Sequence, residues 1–170
     1  MIANRWTTLR RTVASSLALA AVSAILAGCA LHEPDAGDSR RTEAQVDAET
    51  AKRQMVEAVD DATERLGGDW RSRTGPDYAE DCVLADGEAG AQWRYLTGST
   101  LAGRPQADAA QMTEHWEAQG MKVTRRDSSD GPAIFGAGAG RVSSISVYAY
   151  SGNYTVQAVS LCFPGDADEL

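Results

Sequence analysis

Histidine is nearly absent from this chain: His32 and His115 are the two in 170 residues. There is no Cys-x-x-Cys pair, no Gly-x-Ser-x-Gly elbow and no cysteine–histidine arrangement. The usual zinc and nucleophile–base chemistries therefore lack the residues they need. Carboxylate-only catalysis stays open, because acids are plentiful and sequence does not show which of them pair in space. An apolar run of ~20 residues, the length that spans a bilayer as a helix, is also missing. The longest, Val13 to Leu26, is shorter and is broken by Ser15, Ser16 and Ser23. Acids are missing from residues 1–28, whereas Arg5, Arg10 and Arg11 all fall there.

That last absence is informative. A positive start, a short apolar stretch and small residues at its end read as a secretory signal. The stretch closes on Leu26-Ala27-Gly28-Cys29, which resembles the lipobox of bacterial lipoproteins. The resemblance implies cleavage before Cys29 and acyl chains on that cysteine. An uncleaved anchor, or an ordinary signal with an incidental cysteine, is the competing reading. Arg10-Arg11 is followed by Thr12-Val13-Ala14, a poor fit to twin-arginine export, so ordinary secretion is expected.

Past residue 28 the chain has 13 basic and 24 acidic side chains, a formal charge of −11. This excludes a basic nucleic-acid-binding surface. It also disfavours attraction to anionic headgroups, so membrane attachment is expected through the acyl chains on Cys29. Lysine is rare against arginine, a mark of high-GC codon usage. Ala30 to Arg41 is polar and aperiodic, and reads as a flexible tether of ~20 Å root-mean-square span. The expected organisation is a signal at 1–28, the acylated cysteine and tether at 29–41, and a single domain at 42–170.

Cys82 and Cys162 are the cysteines that remain. In an oxidising compartment they are expected to form a disulfide, with a metal or redox pair the less favoured alternatives.

Thr42-Glu43-Ala44-Gln45 has the capping-box pattern, which places a helix N-cap at Thr42. Ala48, Ala51, Met55, Val59, Ala62 and Leu66 then recur at helical spacing until Gly67-Gly68. Glu57, Asp60, Asp61 and Glu64 read as a solvated face, with Asp61 and Arg65 an i,i+4 pair. Trp70 to Gly90 is dominated by turn residues and reads as an irregular loop. Gln92–Leu96 reads as a short strand. Pro105 opens a second helix, with Ala109, Met112 and Trp116 on one face and Gly120 as its stop. His115 has no helical-spacing partner and reads as an exposed or capping residue.

Met121 onward is strand-like. Asp127 to Gly131 is a turn, Pro132–Phe135 a short apolar segment and Gly136 to Gly140 a hairpin connection. Val142–Tyr150 and Tyr154–Cys162 form the clearest pair, joined at Ser151-Gly152-Asn153. The fold class is α+β, with two helices on one face of a four- to five-stranded antiparallel sheet.

The lipobox, the polar tether, Leu66-Gly67-Gly68, Trp70, Cys82, Trp93-x-Tyr95, Trp116-Glu117-x-x-Gly120 and Cys162-x-Pro164 together resemble the small LppA-like lipoproteins of actinobacteria. The resemblance implies a place on the extracytoplasmic face of the cell membrane and a disulfide. It carries over no catalytic residue. The expected function is a non-enzymatic envelope module that binds a protein or envelope component, with no metal or cofactor. The alternative is a carrier of a small apolar or lipid-like ligand between helices and sheet. Tyr148, Tyr150 and Tyr154 near the last hairpin are the expected contact surface.

Overall fold

The computed structural model describes residues 45–170. The lipobox, Cys29, the tether and Thr42 lie outside these residues. The first helix, α1, runs Ala48–Leu66. Gln45, Val46 and Asp47 precede it in non-helical backbone. Asp47, and not Thr42, is its N-cap: the Thr50 N–H donates to Asp47 Oδ1 at 2.8 Å. A short carboxylate three residues ahead of a free N–H satisfies that donor locally. Gly67 ends the helix with a φ of +70°, its N–H reaching the Thr63 carbonyl at 2.9 Å. Ala51, Met55, Val59 and Ala62 form the fully buried stripe, and the alanines let the helix close tightly on the sheet beneath.

Two strands follow where a loop and one short strand were expected. β1 spans Arg71–Val83 and β2 spans Ala89–Ser99, paired as an antiparallel hairpin. The Leu84 N–H bonds the Glu88 carbonyl at 2.9 Å across the turn. β1 escaped detection because it is an edge strand whose pairing register slips between Ser72 and Tyr78. Edge position and irregularity tolerate Gly75-Pro76. Its exposed residues do not alternate cleanly, so the period-two signal is lost.

Helix α2 spans Pro105–Ala118, and the meander β3 (Met121–Asp127), β4 (Pro132–Gly138), β5 (Val142–Tyr148) and β6 (Tyr154–Ser160) completes the sheet. The fold is α+β, and the sheet has six strands in the order β1-β2-β6-β5-β4-β3, all antiparallel. The extra strand is β1, and β4 runs on through Gly136 into the glycine-rich segment. Gly136 is part of that strand and not of a loose connection. A Cβ there would sit 3.0 Å from Met121 Sδ and 3.1 Å from Trp116 Cε3, so the glycine gives Trp116 its seat on the sheet.

Both helices lie on one face. α1 packs on β2, β5 and β6, and α2 on β3 and β4. Met55, Val59, Met112 and Trp116 from the helices meet Ile134, Ile145, Val147 and Val156 from the strands. Fully burying one such side chain contributes ~1.5–3 kcal/mol. Trp93 closes the α1 end, donating Nε1–H to the Ala48 carbonyl at 2.9 Å and lying 5.7 Å from the Phe163 ring. A disulfide joins Cys82 of β1 to Cys162 beyond β6, with Cα atoms 6.0 Å apart. It fastens the edge strand to the segment that bridges Ala91 through Phe163.

Candidate functional site

Among the described residues, no α-helix covers the second face of the sheet. Strand register brings Leu96, Gln157, Ser146, Phe135 and Thr124 into one row there. The neighbouring row holds Gly98, Thr155, Tyr148, Ala133 and Arg126. Antiparallel sheets commonly leave one face to water; this one carries rings. Phe135 and Tyr148 meet edge-to-face with centroids 5.7 Å apart, and Tyr148 and Tyr150 at 5.6 Å. Such geometry follows the ring quadrupole and contributes ~0.5–1.5 kcal/mol per pair beyond burial. Arg126 stands over Phe135, its Cζ 5.4 Å from the ring centre. Tyr148 and Tyr150 are half-buried, so each keeps part of its ring exposed.

Tyr154 does not belong to this surface. It is fully buried, on the opposite face with Val156 and Ala158. Its hydroxyl donates to Asp108 Oδ2 at 2.9 Å, and the Arg104 N–H donates to the same oxygen at 2.7 Å. Burial first, then the Asp108 hydrogen bond and charge, push the phenol well above its ordinary range. The group is a fixed donor that ties β6 to the start of α2. Its side was readable in the sequence: counting by two from Val156 and Ala158 places Tyr154 on the apolar face.

His115 has a role that sequence spacing did not show. It reaches from α2 to α1, with Nε2 2.5 Å from Asp61 Oδ2. Gln119 Nε2 lies 2.9 Å from the same ring nitrogen. Asp61 also accepts from Arg65 Nε at 3.2 Å, the expected i,i+4 pair. Partial burial raises the Asp61 carboxyl, but the His115 hydrogen bond and charge, with those of Arg65, outweigh it and hold the carboxyl below 3.8. Asp61 is therefore an interhelix anchor and not a solvated face residue.

The cavity beside this pair is lined by Ala58, Trp116 and Met121 among others and encloses about 20 Å³. That is room for about one water, and gives the ligand-carrier expectation no support. Among the described residues no group of three or more His, Cys, Asp or Glu is placed to hold a metal. Among them also, no helix is long and apolar enough to cross a membrane.

No protein-family profile matches the chain, and no curated protein matches it. Among solved structures it is similar to a crystal structure of a DUF4853 family protein from Actinomyces odontolyticus, at 15% identity and a TM-score of 0.46. That match covers 68% of this chain and 63% of the other. The chain thus spans less than two thirds of the structure it matches.

Proposed function

We propose that this chain is a membrane-anchored lipoprotein of the cell envelope, similar to the LppA-like proteins, whose domain works by contact and not by catalysis. Cys29 carries the acyl chains, and the tether presents the domain on the extracytoplasmic side. The contact surface is the uncovered sheet face around Tyr148 and Tyr150, with Phe135 and Arg126 completing it. One observation carries the contact reading: among the described residues the helices face one side of the sheet only, with a chain of interlocked rings on the other. Amphipathic rings with a polar tip suit an interface that is apolar in its centre and wet at its rim. The partner is a protein or another component of the envelope.

Two measurements test this reading. Cys29→Ala should move the protein out of the membrane fraction; retention after a high-salt wash would favour an uncleaved helix instead. A photoreactive residue at position 148 should cross-link one specific envelope component in intact cells. Undiminished recovery of that component by a variant with both Tyr148 and Tyr150 changed to Ala would sink the contact surface but leave the anchoring reading intact.

A further inference from the structure

At the β2 end of the row that holds Tyr148, the start of β1 and the end of β2 form an open cleft of about 510 Å³, lined by Asp69, Arg71, Arg73, Gly98, Ser99 and Thr100. We propose that this cleft binds a hydroxylated oxyanion, a sugar carboxylate or a sugar phosphate. Arg71 and Arg73 would hold the oxyanion, and Asp69 would accept from the ring hydroxyls.

The charge pattern is the first argument. The chain is acidic, with 24 acidic against 16 basic side chains. Lys52, Arg65, Arg94, Arg125 and Arg141 each lie against a carboxylate. Among the described residues, Arg71 and Arg73 are bridged to none. Arg53, Arg104, Lys122 and Arg126 are likewise bridged to none there, but Arg71 and Arg73 are the two that line this cleft together, with their donors turned to no carboxylate.

Preorganisation is the second argument. Arg71 pairs across the hairpin with Gly98. A Cβ on Gly98 would overlap the Arg73 guanidinium, so the glycine lets that side chain lie across β2. Arg73 Nη2 then donates to Asn153 Oδ1 at 3.0 Å, an exposed bond that orients the guanidinium across Gly98. A planar fork held in this way matches a carboxylate or phosphate edge with two parallel hydrogen bonds.

The third argument is the mixed lining. Asp69 makes no ion pair with either arginine. A carboxylate in the same cleft would repel a bare anion, but it accepts readily from hydroxyls. Thr100 adds a hydroxyl that both donates and accepts. The cleft volume falls within the ~300–1,000 Å³ of small-ligand sites. Two cations and one anion together fit a ligand with one charged group and several hydroxyls.

Titration calorimetry on the full-length protein in detergent tests this, with glucuronate, glucose 6-phosphate, inorganic phosphate and glucose as probes. Glucuronate or glucose 6-phosphate should bind saturably, and the stronger of the two identifies carboxylate or phosphate as the natural group. Glucose should not bind. The double variant Arg71→Gln, Arg73→Gln should weaken binding at least about tenfold. Arg73→Lys keeps the charge but not the fork, and should bind at an intermediate level. Asp69→Asn should weaken the sugar acid relative to inorganic phosphate. Circular dichroism on each variant separates lost binding from lost folding. Three results overturn the proposal: no saturable binding of either sugar anion, equal binding by the folded double variant, or glucose binding as well as glucuronate. This test is independent of the ring surface, so either reading can fail alone.

Discussion

His115 and Asp61 show how a single pair can join two helices that the sequence presents as independent. Asp61 has its folded carboxyl held below the ordinary 3.8. A depressed carboxyl contributes stability that is present above its unfolded value and lost as pH falls through its folded one. Asp61→Asn should therefore cost about 1 kcal/mol at neutral pH, discounted for partial exposure. The difference from the parent should shrink as pH drops below 3.8. Urea unfolding across acidic pH checks the sign; a difference that grows as pH falls would contradict it. Tyr154→Phe removes the donor that Asp108 accepts inside the core. It should cost about 1–3 kcal/mol in the same assay with little change of structure. A neutral result would mean that the Arg104 N–H alone satisfies the carboxylate.

At the level of elements, legibility followed local pattern. The stripe Ala51, Met55, Val59, Ala62 and the alternation Ile145, Val147, Ala149 could be read because each is a simple period on a half-buried element. β1 could not be read, since an irregular edge strand with Gly75-Pro76 and several acids shows no period. The Thr42 cap was a plausible motif, but helix α1 starts at its Asp47 cap within the described residues. Tyr154 sits near the hairpin with Tyr148 and Tyr150 in sequence, but the parity of β6 turns it into the core and out of the expected contact surface. His115–Asp61 and the Arg71–Arg73 cleft depend on where elements cross or pair, and no local pattern encodes that. Gly136 allows an element-scale test. Gly136→Ala pushes a methyl toward Met121 and Trp116. It should lower stability by about 1–3 kcal/mol through overpacking. A thermal midpoint equal to the parent's would mean that Trp116 has more freedom than its burial suggests.

At the largest scale, the described residues combine a helix layer, a sheet packed against it on one side, and a cross-link at the sheet's edge. The disulfide spans 80 residues. In the chain-entropy account a loop of this size stabilises by roughly 4–5 kcal/mol. The double variant Cys82→Ala, Cys162→Ala should show a loss of that order by urea unfolding. A loss under about 1 kcal/mol would show that the bonds between Ala91 and Phe163 hold the edge without the bridge. Among the described residues the same layering leaves the ring surface free of either helix, and the proposed envelope contact would form there. Oxidative footprinting of the protein in intact cells, compared with the purified protein, tests that claim most directly. Tyr148 and Tyr150 should label less in cells, while the exposed Val83 and Leu170 label equally in both. Equal labelling of the two tyrosines in cells and in purified protein would contradict the contact surface.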